Sequence, residues 1–488
     1  MATEIELKLT LPPSSARHLA THPVLAGAPG RRKRVENTYY DTPALDLTRE
    51  WVAVRRRLIG GKWLLTVKST EPASAGLACR SEWERPAEPG DFDFSMVDDT
   101  GLRARLERHS PALREVFTTH FTRTTWHLFH AGAEIEVAFD RGSIAANGRR
   151  EAICEIELEL LAGETTALFA LARVLQSELP LALSTASKAE RGYALYAGTP
   201  RQPVKAAPPA LAEDGDSLAA FRNMALNCLD QLQRNEAGVR AGGDPEYLHQ
   251  ARIALRRLRA CLNLFAPLLP PEFLRAYQEA WRDFAHSLNA ARNWDVFTGE
   301  TLPPLLAAFP DHHGMRRLET TAHSRAKQAR RLANARFGSA DYRRLLLYFT
   351  ADLHALPAES TPPLAEFARA RLKKRAAQAR RLAARLPDLD AADIHRLRLR
   401  CKKLRYTLDF LAPTAAAKPY LRALSRVQTA LGEYNDHATA AQLLAEMPAT
   451  SASRLAAGWV VGRQTLLAAR LARSIEPWLK ARPPWKHG

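Results

Sequence analysis

The chain has few cysteines and no long hydrophobic run. Five cysteines are scattered over 488 residues, and their positions form neither the paired spacing of a zinc site nor a disulfide framework. No stretch of about 18 apolar residues is long enough to span a membrane. The N-terminus also lacks the apolar segment of a secretory signal. These absences predict a protein without a membrane span, located in the reducing cytoplasm.

Acidic residues are scarce in the second part of the chain compared with basic ones. Residues 1–200 carry 25 Lys and Arg against 26 Asp and Glu, whereas residues 201–488 carry 45 against 26. The second part therefore holds the entire positive excess of the formal net charge of +18. A surface of this kind attracts polyanions such as nucleic acid, polyphosphate or anionic lipid.

Two regions with different hydrophobic periodicity suggest an α+β protein with more than one domain. Residues 1–197 alternate polar and apolar side chains in short runs, which predicts a mainly β domain. Residues 198–216 have the Pro-rich, polar composition of a linker. From 217 to about 480 the period becomes 3.6, which predicts an all-helical domain. Strands are predicted at 2–10, 34–41, 51–58, 62–69, 79–84, 118–130, 133–140, 143–147 and 151–161.

The helical region contains an internal repeat. His249–Pro267 aligns without a gap to His395–Pro413 after a shift of 146 residues. Repetition at a fixed period indicates duplicated structural units. We therefore expect two helical bundles related by a pseudo-twofold axis, with halves at about 217–350 and 360–480.

Each repeat carries a stripe of basic residues at offsets 0, 3, 7 and 10, which lie on one face of a helix. A single stripe of this kind is usually a solvated surface, but its duplication at identical offsets favours an anion-binding role. Tyr406 is the only aromatic residue beside the stripes, so a ligand without bases is favoured over nucleic acid. The stripes are His249, Arg252, Arg256 and Arg259, and His395, Arg398, Lys402 and Arg405.

A second segment recurs in both halves and ends in an aspartate. Asp295 follows Trp294 in the first half, and Asp436 follows Asn435 in the second. These aspartates have two interpretations of equal weight. They orient the basic side chains by ion pairing, or they make ordinary hydrogen bonds at helix ends or between helices.

Charged and apolar residues also alternate along several predicted strands of the first region. Glu4, Glu6 and Lys8 alternate with Ile5 and Leu7 at the start of the chain. The pattern recurs with Arg55 and Arg57, with Arg80, Glu82 and Glu84, and with Glu155, Glu157 and Glu159. Taken alone, a strand with this pattern more often belongs to an ordinary sheet that exposes its charged face to solvent. Together, in a closed sheet, they would form a charged lumen whose carboxylates suit Mg²⁺ or Mn²⁺ and whose cations suit phosphate.

These motifs resemble those of a known superfamily. Glu4-Ile5-Glu6-Leu7-Lys8 is similar to the ExExK signature of the CYTH superfamily, the triphosphate tunnel metalloenzymes. The similarity covers about residues 1–197. Its further motifs are Asn37-Thr38-Tyr39-Tyr40-Asp41-Thr42, Val54-Arg55-Arg56-Arg57, Thr66-Val67-Lys68, Arg80-x-Glu82-x-Glu84, Arg123, Glu134-x-Glu136, Asp140, Glu155-x-Glu157-x-Glu159 and Ser187-Lys188-x-x-Arg191-Gly192-Tyr193.

The helical region, at about 217–480, resembles the CHAD domain through the two basic stripes. One position departs from that family's pattern, because Asn293 stands where an aspartate is usual. The resemblance implies that the helical region binds inorganic polyphosphate through the stripe residues. Association with polyphosphate granules in the cytoplasm would follow from such binding.

The CYTH resemblance implies an eight-stranded antiparallel β tunnel that hydrolyses inorganic triphosphate with Mg²⁺ or Mn²⁺. It implies that Glu4 and Glu6, with Glu155 and Glu157, coordinate the metal. A lumen carboxylate or Lys8 would orient the attacking water, and these alternatives remain open. The residues implied to bind triphosphate are Lys8, Arg55, Arg57, Lys68, Arg80, Arg123 and Lys188, with Glu82, Glu84, Glu136 and Asp140 completing the lumen.

Two other functions are compatible with the sequence. Relatives of the tunnel enzymes include adenylate cyclases and thiamine triphosphatases, and Trp51 or Trp63 could stack on an organic ring. Core packing is the commoner role for such residues. The second alternative is a polyphosphate-binding protein without catalysis. The motifs retained throughout the tunnel argue against this alternative.

Overall fold

The computed structural model describes residues 2–69, 76–88, 90–198, 202–209, 215–357, 361–386, 389–411 and 417–486. The chain forms two compact units, Met1–Gln202 with Ala340–Leu356, and Pro203–Ser339 with Pro357–Gly488. Residues 199–201 and 210–214 of the predicted linker lie outside the described residues, as do residues 412 and 413 at the end of the sequence repeat.

The strands described in the first unit form one antiparallel sheet in the order β5-β4-β3-β2-β6-β7-β8-β1-β9. Because β1 also pairs with β5, strands β1 to β8 close into an eight-stranded barrel, as the CYTH resemblance implies. The strands are β1 (Ala2–Thr10), β2 (Arg31–Asp41), β3 (Val52–Ile59), β4 (Lys62–Ser69), β5 (Leu77–Pro86), β6 (Arg114–His130), β7 (Ala133–Ala146), β8 (Arg149–Ala162) and β9 (Ala182–Leu183).

Turn chemistry explains where the hairpin of β3 and β4 reverses. Gly60 and Gly61 both have positive φ, at 57° and 77°. A two-residue hairpin loop with a type I′ turn requires positive φ at both of its residues. One strand differs from the prediction, because β7 runs unbroken where the sequence suggests separate strands at 133–140 and 143–147. Gly142 allows this continuity: a Cβ there would lie 2.0 Å from the carbonyl oxygen of His120 on β6.

One end of the barrel is filled by an apolar core. Tyr39, Phe117 and Phe121 point inward there with Ile144, and Tyr193 packs among them. Tyr193 belongs to α5, which begins with a capping box at Ser187. The charged inward positions occupy the rest of the barrel. The helices of this unit are α1 (Pro23–Ala26), α2 (Asp46–Arg49), α3 (Thr100–His109), α4 (Thr166–Glu178), α5 (Lys188–Ala197) and α12 (Ala340–His354).

Helix α12 groups with the β unit although it lies within the helical part of the sequence. Arg173 Nη2 on α4 donates to Asp352 Oδ1 at 2.6 Å, and the Phe169 ring stacks on His354. The predicted first helical half, at about 217–350, includes most of this helix. Tertiary packing rather than periodicity assigns this helix to its unit.

The second unit is helical and repeats its elements. The shift of 146 residues places α7 (Pro245–Phe265) on α14 (Ala391–Leu411) residue for residue. The halves differ after these helices, since the first has two helices, Pro271–Ser287 and Asn289–Val296, where the second has one, Lys418–Ala445. The remaining helices are α6 (Ser217–Ala241), α8 (Pro271–Ser287), α9 (Asn289–Val296), α10 (Leu302–Ala308), α11 (Met315–Phe337), α13 (Leu364–Ala383), α15 (Lys418–Ala445) and α16 (Ser451–Lys480). Within the described part of the chain, no helix has the length and hydrophobicity needed to cross a membrane.

Candidate functional site

A charged cavity of about 640 Å³ occupies the interior of the barrel. Strand alternation explains its lining, because inward positions two residues apart share one face. Most of the predicted tunnel residues meet here, whereas Asp140 and Glu155 are completely buried and do not line the open cavity. The predicted residues that line the cavity are Glu4, Glu6, Lys8, Arg55, Arg57, Lys68, Arg80, Glu82, Glu84, Arg123, Glu136, Glu157 and Lys188.

Cations and carboxylates pair along strands β1, β3, β4 and β5. Arg55 Nη2 donates to Glu82 Oε1 at 3.0 Å, and Lys68 Nζ lies 3.2 Å from Glu82 Oε2 while also contacting Glu4. Arg80 Nη1 donates to Glu6 Oε1 at 2.9 Å. Although burial opposes it, Arg55 and Lys68 lower the pKa of Glu82 to about 2. These contacts keep Glu82 ionised at every physiological pH.

Asp140, Glu155 and Glu157 form a compact carboxylate cluster at the inner part of the barrel. Their oxygens lie within 4.8 Å of one another, a spacing that could hold a metal ion. Lys188 already occupies the centre, because its Nζ lies 2.6 Å from Asp140, 2.5 Å from Glu155 and 2.9 Å from Glu157. Lys8, Arg123 and Arg191 contact the same cluster.

These contacts with Lys and Arg side chains set the ionisation of the inner carboxylate cluster. Although burial opposes it, Lys188 and Lys8 lower the pKa of both Glu155 and Glu157. Burial would lower the pKa of Lys8, but Glu155 and Glu157 raise it far above its ordinary value. Three carboxylates are thus matched by four cations, and a metal ion has little charge left to neutralise there.

The carboxylates nearer the open part of the cavity are less completely neutralised. Burial, together with Glu6 and Glu82, raises the pKa of Glu4 to about 7 in spite of Lys68. Burial also raises the pKa of Glu159, with Glu136 and Glu6 adding to the effect. Such a surplus of buried negative charge fits a hard divalent cation, which prefers oxygen ligands.

Glu159 belongs to the cavity although it is not among the predicted site residues. It lines the cavity, and the strand register places it opposite Glu6 on β1 and Glu136 on β7. The signal was present in the sequence, because Glu159 is the third member of the alternating Glu155, Glu157 and Glu159. By charge and access, Glu4 and Glu159 fit a metal better than the enclosed Glu155, and Glu6 and Glu136 are the cross-strand neighbours of Glu159.

Neither tryptophan considered for ring stacking lies on the described wall of the cavity. Trp51 is nearly half exposed and adopts a left-handed backbone conformation with φ of 60°. The aromatic side chains on that wall are Tyr39, Trp83 and Phe121. The stacking role suggested for Trp51 and Trp63 therefore has no support from the geometry.

The two basic stripes of the helical unit converge where α7 packs against α14. Burial lowers the pKa of Arg252 to about 9, with Arg256, Arg292 and Arg398 adding to the effect. Burial, together with Arg398 and Arg256, lowers the pKa of Lys402 to about 6. Nε of Arg252, Arg256 and Arg398 is buried without a hydrogen-bond partner among the described residues. The cluster therefore concentrates positive charge that few acidic side chains balance.

The outer members of the stripes make separate contacts. Arg405 donates to Ser425 Oγ at 3.0 Å and lies 3.6 Å from Asp409, while His395 Nδ1 lies 3.2 Å from Asn435 Oδ1. The pKa of Arg259 is lowered by burial and by Arg282. Burial and Arg292 lower the pKa of His249 to about 4, so this imidazole is neutral at pH 7.

The two aspartates of the repeated segment have different roles. Asp295 pairs with Arg330 on α11, with Arg330 Nε at 2.5 Å from Oδ1, so it does not orient a stripe residue. Asp436 does act on the stripe, because its charge favours protonation of Arg398 and Lys402. Arg292 joins the cluster although it was not among the predicted residues. Its position in the repeated segment was the available signal.

Comparisons with known proteins agree with this division. The CYTH domain family matches residues 2–193, and the CHAD domain family matches residues 223–445. A solved CHAD domain from the plant Ricinus communis is 32% identical with a TM-score of 0.52, covering 58% of this chain and 98% of that one.

Two curated relatives extend the comparison. An inorganic triphosphatase of Haemophilus influenzae is 34% identical over 199 residues, which are 40% of this chain and 55% of the relative. The chain thus spans about half the length of that relative. An uncharacterized protein of Mycobacterium tuberculosis is 27% identical over 444 residues, covering 83% of this chain and 80% of the relative. The chain therefore belongs to the CYTH and CHAD domain families, with a CYTH barrel followed by a CHAD helical region.

Proposed function

We propose that the barrel hydrolyses inorganic triphosphate to pyrophosphate and phosphate with the help of Mg²⁺ or Mn²⁺. The observation that carries this proposal is the convergence of cations and incompletely neutralised carboxylates on a single cavity of about 640 Å³. A triphosphate is a dense anion, and its hydrolysis requires charge neutralisation and an oriented water more than covalent chemistry. The similarity to an inorganic triphosphatase supports the same substrate.

The cationic side chains bind and orient the phosphate groups. Arg55, Arg57 and Arg123 present guanidinium groups, which match phosphate oxygens in pairs, and Lys68 and Lys188 act as point charges. Each is held by a carboxylate in the free protein, so the site is preorganised. Binding of the substrate would therefore exchange one set of ionic contacts for another.

Glu4, Glu6, Glu136 and Glu159 supply the oxygen donors for the divalent metal in this proposal. When bound, the metal would neutralise charge on the phosphate oxygens. Lys8 remains an ammonium group, since Glu155 and Glu157 raise its pKa. A protonated lysine cannot take a proton from water, so that task falls to a lumen carboxylate, and Lys8 serves as a phosphate ligand.

Phosphate release from purified protein tests this proposal. Inorganic triphosphate, ATP and thiamine triphosphate would be supplied with Mg²⁺ or Mn²⁺, and EDTA provides the metal-free control. We expect rapid metal-dependent release from inorganic triphosphate and little from the organic triphosphates. Absence of release from triphosphate by folded protein would contradict the proposal. Preference for an organic triphosphate would assign the tunnel a different reaction.

For the helical unit we propose binding of inorganic polyphosphate. Arg256 and neighbouring cations contribute to the lowered pKa values of Arg252, Arg398 and Lys402, and this repulsion would be relieved by an anion. Tyr406 is the aromatic residue beside the cluster, lining a cavity of about 540 Å³ with Arg256, Lys402 and Arg405. A repeating phosphate chain without bases suits this composition.

A further inference from the structure

Four consecutive cations begin strand β2 at the open end of the barrel. Arg31, Arg32, Lys33 and Arg34 are all exposed, and β2 continues from them into the buried Val35. Successive residues of a strand point to opposite faces. The four cations therefore divide into two pairs with different surroundings.

The strand register assigns Arg31 and Lys33 to the lumen side. Lys33 is the cross-strand partner of Arg123, which lines the cavity, and Arg31 is the partner of Thr125. The register between β2 and β6 does not shift before Tyr39. Directly opposed residues share a face, so Lys33 lies beside Arg123 on the cationic wall and Arg31 continues that wall along the strand. Two residues of a strand extend this wall by about 7 Å.

Arg32 and Arg34 face the outside of the barrel. Arg32 lines an outer depression with Thr122, Thr124 and Arg141, and Arg34 Nε lies 3.0 Å from Glu36 Oε1. These two residues carry the same charge as Arg31 and Lys33 and neighbour them in sequence. They form a matched control pair on the opposite face.

The lumen-side pair lacks the partners that the cavity cations have. Within the described ranges, the side chains of Arg31 and Lys33 make no hydrogen bond or ion pair, whereas each cation lining the cavity contacts a carboxylate. The other end of the barrel is filled by Tyr39, Phe117 and Tyr193. A phosphate chain longer than the cavity can accommodate must therefore leave past the rim.

We propose that Arg31 and Lys33 form an outer subsite for the phosphate groups beyond the third in a linear inorganic oligophosphate. The inference deepens the proposed function and rests on the terminal phosphates binding in the tunnel. The ligand is a linear chain because the two cations follow one strand edge, in line with the cavity wall. Such a subsite would favour chains longer than triphosphate over triphosphate itself.

The test compares Arg31→Ala/Lys33→Ala with Arg32→Ala/Arg34→Ala in the full-length protein. Binding of inorganic tetraphosphate and triphosphate is measured by calorimetry in EDTA, and kcat/KM for both is measured with Mg²⁺. We expect the lumen-side variant to lower the tetraphosphate-to-triphosphate affinity ratio about tenfold, corresponding to about two charge contacts. The outer-face variant should leave the ratio unchanged. The helical unit is identical in all proteins, so it cannot produce the difference.

The outcomes separate this inference from the proposed hydrolysis. An affinity ratio that is equal in both double variants overturns the outer subsite, whether or not triphosphate is hydrolysed. A ratio that falls only in the lumen-side variant supports it, even if neither substrate is turned over. In that case the hydrolysis proposal alone fails. Equal thermal unfolding of both variants confirms that exposed side chains, and not the fold, are being compared.

Discussion

Glu6 on β1 and Glu159 on β8 are directly opposed cross-strand partners inside the barrel. Like charges in this position destabilise a sheet. Arg80 pairs with Glu6, whereas Glu159 has no comparable ion pair among the described residues. The fold therefore keeps two carboxylates in a repulsive arrangement, which a bound cation would relieve.

Replacing Glu159 should affect stability and activity in opposite directions. Glu159→Gln removes the repulsion from Glu6 and Glu136. Without metal, the free energy of unfolding should therefore increase by about 0.5–1 kcal/mol, measured as a higher melting temperature. Loss of a metal ligand should reduce metal-dependent phosphate release about 100-fold or more. Glu107→Gln, on the exposed surface of α3, is the control and should change neither. A Glu159→Gln protein with full activity would exclude this residue from the metal site.

The raised pKa of Glu4 predicts a pH dependence of stability. A carboxyl group whose folded pKa is about 7, above its ordinary 4.5, is held protonated by folding. Its contribution to stability is present at low pH and decreases as the pH rises from about 4.5 to 7. Glu4→Gln mimics the protonated form, so in EDTA its advantage over the original protein should grow between about pH 5 and pH 8. The difference would be on the order of 3 kcal/mol at most.

Melting temperatures of the two proteins at both pH values measure this effect. Adding Mg²⁺ should stabilise the original protein more at about pH 8 than at about pH 5, because the ionised carboxylate binds the metal. A pH-independent difference between the two proteins would contradict the proposed environment of Glu4.

Binding of polyphosphate should be accompanied by proton uptake at Lys402. Burial and the neighbouring Arg398 and Arg256 lower its pKa to about 6, so the side chain is mostly neutral at about pH 8. A bound polyanion favours the ammonium form and raises the pKa. Affinity should therefore increase as the pH falls from about 8 to 6.

Calorimetry in two buffers of different ionisation enthalpy measures the protons taken up. Lys402→Met should abolish most of this uptake at about pH 8. Lys373→Met on α13 alters an exposed lysine and should preserve it. Buffer-independent binding heats for the original protein would refute the role of Lys402.

Removing one arginine from each repeat tests whether one polyphosphate chain contacts both helices. Arg252→Ala with Arg398→Ala should weaken binding and lower the salt slope by about 2, one for each lost phosphate contact. Arg396→Ala with Arg400→Ala removes the same charge from exposed positions of α14 and should lower the affinity much less. Equal losses in both double variants would indicate a response to net charge instead of a defined site.

The strand pattern allowed much of the candidate site to be predicted. Alternation of Glu4, Glu6 and Lys8 with apolar residues specified which side chains share a face, because the period of a strand is two. By the same argument Arg55 and Arg57 share one face, and both line the cavity, whereas Arg56 between them packs on the Phe92 ring. The duplicated basic stripes likewise predicted the paired helices α7 and α14.

The sequence by itself determined the fold class, the two-part organisation and the faces of the strands, since these follow from local periodicity. It could not determine which carboxylates are already neutralised. Glu155 and Glu159 look equivalent in the alternating pattern, but only Glu155 is enclosed by Lys188, Lys8 and Arg191. Likewise, the sequence is compatible with Asp295 pairing with a stripe residue, but packing places Arg330 beside it instead. Charge balance at a site depends on residues far apart in the chain, and the tertiary structure alone brings them together.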